Sequence, residues 1–219
     1  MIAPSTIKFL KDLKKNNNKD WFDVNRARFE NAKLNYYNFV EEVLGEIKKV
    51  DPSLSEIETK QCVFRINRDV RFSKNKEPYK TNFGASFSKG GKKVQCAGYY
   101  FHMEPGASFI GGGFWMPMGP ELKKIRMEID YNLDEFNAII EHKPFKKQFL
   151  GLNQEEKLSR APQGYTDDNP ALALLKLKSF TVSAPLADEA LSDKNLVRLV
   201  VNHFKTMVPF VHFLNRSID

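Results

Sequence analysis

Between residues 65 and 81 the chain reads Arg65-Ile66-Asn67-Arg68-Asp69-Val70-Arg71-Phe72-Ser73-Lys74-Asn75-Lys76-Glu77-Pro78-Tyr79-Lys80-Thr81. Arg65, Arg68 and Arg71 recur at a spacing of three, with Asp69 among them. A guanidinium fork binds a carboxylate or phosphate through two parallel hydrogen bonds, and Ser73, Tyr79 and Thr81 add hydroxyl donors. Lys74, Lys76 and Lys80 add point charges. Two readings stand side by side. Arg65, Arg68, Asp69, Arg71, Ser73, Lys74, Lys76, Tyr79, Lys80 and Thr81 form a pocket for an anion. Alternatively, the arginines and Asp69 pin an irregular loop by pairing with each other and with backbone carbonyls.

Tyr100, His102 and Glu104 follow at steps of two, which places them side by side on one face of a strand. Histidine titrates near neutrality and a neighbouring carboxylate holds its tautomer, so the three are candidate catalytic acid–base residues. The plainer alternative is a solvent-facing strand, or hydrogen bonds to a covering helix. Gly111-Gly112-Gly113 precedes Phe114-Trp115 and reads as a bulge or a close backbone approach. It is not a nucleotide P-loop, since no Gly-Lys-Ser/Thr follows. His102, His142, His203 and His212 show no HExxH spacing, and Cys62 and Cys96 form no CxxC pair. No metal and no cofactor are therefore expected. Trp21 and Asn25, one helical turn apart, either brace the site or belong to the core.

The surrounding composition is that of a folded protein. The chain has 219 residues, 42% hydrophobic and 28% charged, with a net charge of +7 and 18 phenylalanines. Disordered and low-complexity classes are excluded. Residues 60–93 carry ten cations against two anions, so the basic balance sits in one segment and the rest is close to neutral. Such a cluster is solvated, paired, or used to hold an anion. No stretch reaches the roughly 18 apolar residues of a membrane helix. The lysines of the opening MIAPSTIKFLKDLKK do not suit a secretory signal. With two cysteines, a cytoplasmic protein that does not engage membranes is expected.

Periodicity then supplies the elements. Ile7, Leu10 and Leu13 predict a first helix ending at Asn16-Asn17-Asn18, and a second spans residues 19–50. Period-two alternation predicts strands over residues 61–67, 82–88, 94–104 and 108–116, joined by short turns and hence antiparallel. Arg65 and Asn67 would then share a sheet face with Ser86, Tyr100, His102 and Glu104. Helices return after Pro120, Asn132, Pro144 and Asn169-Pro170. Phe180, Val182 and Ala184 predict a short edge strand. A last helix spans residues 192–214 and is kinked at Pro209. The expected fold is α+β: an antiparallel sheet of about four to six strands, with helices from both chain ends packed against it, in a single domain over residues 1–219.

The run Arg68-Asp69-Val70-Arg71-Phe72-Ser73-Lys74, with Lys76 and Pro78-Tyr79-Lys80-Thr81, resembles the signature of a widespread family of conserved hypothetical proteins, a domain of unknown function. Trp21-Phe22 with Asn25, Tyr99-Tyr100 with His102, Pro105-Gly106, Gly111-Gly112 and Pro162 with Gly164-Tyr165 fit the same pattern over nearly the full length. Phe29 and Phe101 stand where other aromatic or aliphatic residues are usual. The resemblance implies a single α+β domain and supplies no reaction, cofactor or catalytic residue. The leading functional expectation is a small anionic ligand, phosphate- or carboxylate-bearing, with hydrolase or transferase chemistry assisted by His102. The alternatives are a nucleic-acid-binding module, with Phe64, Phe72, Tyr79 and Phe83 stacking bases, and a non-catalytic scaffold whose arginines are structural. Oligomeric state is left open.

Overall fold

In the first third, apolar spacing and caps set the helices. The computed structural model describes residues 1–218. Helix α1 (Pro4–Lys15) starts on a proline, whose missing N–H costs nothing in a first turn, and buries Phe9, Leu10 and Leu13. Asn18 then caps α2 (Lys19–Val24) by accepting the Trp21 N–H at 2.9 Å. The single helix expected over residues 19–50 is divided at Asn25, where α3 (Arg26–Lys48) begins. The Asn25 side chain donates to the Trp21 carbonyl at 2.9 Å and accepts from Arg28, so it competes with the helical ladder.

Gly45 lies on the exposed side of α3, and a Cβ there would meet nothing within 4 Å. Gly45→Ala is expected to raise the unfolding free energy by about 0.8 kcal/mol, because alanine loses less backbone freedom in a helix. A shift of the urea midpoint to higher concentration at unchanged slope checks this.

The strand expected over residues 61–67 is the main correction. Residues Thr59–Cys62 form the short helix α4, closed by a capping box in which Glu58 and Gln61 each take the other's backbone N–H. Beyond it the chain runs extended, pairing at Val63 with Ala85 and at Asn67 with Tyr79. Phe64 N–H donates to Gly84 and Lys80 N–H to Ile66. The two pairings differ in register, so no regular strand forms.

Four strands make the sheet: β1 (Phe83–Ser88), β2 (Gly98–Met103), β3 (Ser108–Phe114) and β4 (Phe180–Leu186), antiparallel in sequence order. The expected strand start at residue 94 is displaced to Gly98, because Asn215 takes both backbone groups of Ala97 with its side-chain amide. One face is apolar. Phe83, Ala85, Phe87, Tyr99, Phe101 and Val182 are buried on it. Tyr36 and Phe39 of α3 pack on Phe83 and Phe101 at 5.1 and 4.9 Å between ring centroids. The last helix adds Phe204, which sits between Phe87 and Tyr99.

The remaining helices are α5 (Gly119–Tyr131), α6 (Leu133–Ile140), α7 (Lys143–Gln148), α8 (Leu172–Leu175), α9 (Asp188–Leu191) and α10 (Leu196–Arg216). The helix expected over residues 192–214 starts at Leu196, and Pro209 lies within it. Helix and sheet segregate, and the fold is α+β. Among the described residues, no helix is long and apolar enough to cross a membrane.

Candidate functional site

With the helices on one side, the other sheet face is left open, and away from Tyr100, His102 and Phe109 its side chains are small. Register places three rows across it. Gly84, His102, Phe109 and Pro185 make the first; Ser86, Tyr100, Gly111 and Ser183 the second; Ser88, Gly98, Gly113 and Thr181 the third. The result is a cleft of about 1380 Å³ floored by bare backbone and hydroxyls. Gly98 is required there, since a Cβ would stand 2.6 Å from the Phe87 carbonyl.

Tyr100 and His102 line one side of this cleft, and Glu104 joins them through His102. The Tyr100 hydroxyl lies 3.1 Å from His102 Nδ1, and His102 Nε2 lies 3.4 Å from Glu104 Oε2. A carboxylate beside Nε2 favours the proton there, which leaves Nδ1 to accept from the phenol. The imidazole stacks on Phe109 at 4.7 Å, and the Asn82 amide approaches Nε2 at 3.1 Å. Glu104 accepts from Thr81 at 3.0 Å and pairs with Lys14 at 3.3 Å.

Burial lowers the His102 pKa, the Glu104 carboxylate opposes this, and the net shift is downward, so the ring is mostly neutral at pH 7. Burial pushes the Tyr100 phenol up to about 12, so it stays a proton donor. Burial alone would raise Glu104. Its bonds from Thr81, His102 and Lys14 outweigh that and hold it ionised.

The arginine–lysine segment divides. Arg65 and Lys80 line the cleft, together with Lys92, whose ammonium donates to the Lys60 carbonyl. Lys80 is half-buried with its Nζ over the Phe64 ring at 5.3 Å, and burial followed by the Arg65 charge lowers its pKa. No carboxylate lies within salt-bridge distance of Arg65 or Lys80 among the described residues. Thr81 joins the Glu104 group. Tyr79 is buried, stacked on Phe22 at 3.9 Å, with both backbone groups held by Asn17. That clamp fixes where Lys80 emerges.

The remaining members are spent on the loop itself. Arg68 donates to the Glu77 carbonyl and the Ser73 hydroxyl. Arg71 grips Asp69 through two bonds of 2.9 and 2.6 Å. Lys76 donates to the Val70 carbonyl, and Lys74 is exposed. None of these lines the cleft. Of the aromatics considered for base stacking, Tyr79 and Phe83 are buried, Phe64 lies beneath Lys80, and Phe72 alone is exposed.

Trp21 is half-buried against Phe9, and neither it nor Asn25 touches the cleft. His203 donates from Nδ1 to the Leu199 carbonyl on its own helix at 2.8 Å. Among the described residues, no three His, Cys, Asp or Glu side chains converge as a metal site.

Several contributors were not anticipated. Phe109 and Asn82 were within reach of the same alternation that placed His102. Lys14 and Asn17 come from the α1–α2 region, and nothing in their local sequence points to this site.

The model of the family described as conserved hypothetical protein (DUF2461) matches residues 5–213. No curated protein and no solved structure matches.

Proposed function

The chain belongs to this family of conserved hypothetical proteins, and from the geometry of the open sheet face we propose that it binds a small phosphate- or carboxylate-bearing ligand there. One observation carries the reading. Lys80 is a partly desolvated cation beside a second cation, Arg65, with no carboxylate within salt-bridge distance of either among the described residues. Removing a charge from water is costly unless a counter-charge replaces it, and an anionic guest supplies one.

Tyr100, His102 and Glu104 add acid–base capacity to the same cleft. The attacking water gives a proton to the Tyr100 oxygen as the phenol passes its own to neutral His102, and the reverse transfer protonates the departing oxygen, so hydrolysis leaves both residues unchanged. His102, oriented by Glu104, fixes the direction of that O–H bond.

Thermal unfolding with phosphate, pyrophosphate and small dicarboxylates tests binding. At a hundredfold excess over Kd, a ligand that binds only the folded state stabilises it by about 2.7 kcal/mol. The Arg65→Met/Lys80→Met double variant is expected to lose this stabilisation. Arg71→Ala, whose partner Asp69 lies outside the cleft, is expected to keep it. An unchanged stabilisation in the double variant, or none in the wild type with any anion, defeats the reading. Retention of a single-stranded oligonucleotide that weakens steeply with salt would instead support the nucleic-acid alternative.

A further inference from the structure

The end of the cleft away from His102 is chemically different. Trp115 lines it with 76% of its surface exposed, although a tryptophan left in water forgoes a large burial gain. Its position is held at a cost. Met116, the next residue, is the only non-glycine with positive φ (46°) among the described residues, and its N–H is tied to the Ser179 hydroxyl at 2.9 Å. Backbone strain of this kind persists where the surroundings enforce it, and it gathers at ligand-binding positions.

On the β4 side of Trp115 the groups are acidic, whereas Lys92 lines the same end from the segment before β2. Asn153 N–H bonds to the Thr181 carbonyl and Lys178 N–H to the Glu156 carbonyl, so residues 153–156 run beside Ser179 and Thr181. Glu155 and Glu156 both line the cleft. Glu156 is 3.5 Å from Lys178, whereas Glu155 has no ion pair among the described residues. Residue 115 is six positions beyond Phe109 along the chain, about 20 Å at roughly 3.4 Å per residue. Between them lie only Gly111 and Gly113 on this face, so a ligand can lie flat on the floor.

We infer that Trp115 and Glu155 form a second subsite, which takes a planar heterocycle bearing adjacent N–H donors, and that the ligand is a purine nucleotide of the guanine type with its phosphates toward Arg65 and Lys80. The indole stacks on the ring. The carboxylate accepts from the ring N–H and the exocyclic amino group, which adenine does not present together. The cleft exceeds the roughly 300–1,000 Å³ of an ordinary small-molecule pocket, as an elongated ligand requires. This inference rests on the anion site proposed above and extends it.

Calorimetric titration of the full chain with GTP, ATP and tripolyphosphate tests it, using Trp115→Ala and Glu155→Gln, both at exposed positions. GTP is expected to bind at least tenfold more tightly than tripolyphosphate and than ATP. Trp115→Ala should remove the advantage over tripolyphosphate, and Glu155→Gln the advantage over ATP. Tripolyphosphate affinity should be unchanged in both variants. Equal affinity for GTP and tripolyphosphate in the wild type, or no effect of Trp115→Ala on GTP, overturns the ring subsite while leaving the anion site standing. Failure of all three compounds to bind overturns the nucleotide inference, and the anion site then stands or falls with the dicarboxylates of the thermal test.

Discussion

Gly113→Ala is expected to lower the unfolding free energy by about 3 kcal/mol or more, combining overpacking with backbone strain. Gly113 sits in β3 with φ at +111°, a region that side chains rarely adopt. A Cβ there would lie 2.0 Å from the Phe180 carbonyl oxygen and 2.9 Å from the Phe210 ring. The first of these is backbone of the neighbouring strand, which cannot rotate aside as a side chain can. Either β3 and β4 separate or Gly113 leaves its conformation. Both break the ladder that carries Thr181 opposite Gly113. For a domain of this size the melting temperature should fall by roughly 6–12 °C. Gly119→Ala, where a Cβ meets nothing within 4 Å, is the control, with a change within about 0.5 kcal/mol. Equal melting of the two variants would mean that the strand gives way without cost.

Asp51→Ala is expected to cost about 2–4 kcal/mol, since it leaves a buried hydroxyl unpaired and removes a cap. Asp51 is fully buried beneath α10. One carboxylate oxygen accepts the Tyr99 hydroxyl at 2.7 Å. The other accepts from the Ser53 N–H and hydroxyl and from His212 Nε2 at 3.1 Å. Burial alone would raise the Asp51 pKa, but the bonds from Ser53, Tyr99 and His212 outweigh it and the net shift is downward. A carboxylate with a depressed folded pKa stabilises fully above its unfolded value of about 3.9, and loses that contribution as the pH falls through the folded value. Urea unfolding at pH 7 should therefore separate wild type and variant clearly, and the gap should narrow as the pH falls below about 4. A constant difference across that range would show that the ionised carboxylate is not what matters.

Local patterning made much of this molecule legible. The apolar steps through Leu10, Leu13, Ile125 and Ile129 sufficed for their helices. Alternation through Phe83–Phe87, Tyr99–Met103 and Phe180–Ala184 sufficed for the strands, and it put Tyr100 and His102 on the same face. The strand expected over residues 61–67 does not form, because Cys62, Phe64 and Ile66 alternate in type while the Glu58–Gln61 capping box starts a helical turn. Period two describes which residues are apolar. It does not reveal that a side chain has already claimed the backbone N–H groups.

The chain's own order of residues thus determined the α+β class, the concentration of cations in one segment and the shared face of Tyr100 and His102. Only the tertiary structure decided which cations face the cleft. Arg65, Arg68, Arg71 and Lys80 are alike in sequence. Arg68 and Arg71 are taken by Glu77, Ser73 and Asp69 within their own loop, whereas Tyr79, the neighbour that sets where Lys80 emerges, is fixed by Asn17 and Phe22 from another part of the chain. Periodicity is a property of neighbours within a turn or two. Desolvation of a charge depends on what distant segments lay over it, and residues 62 positions apart meet only once the chain has closed.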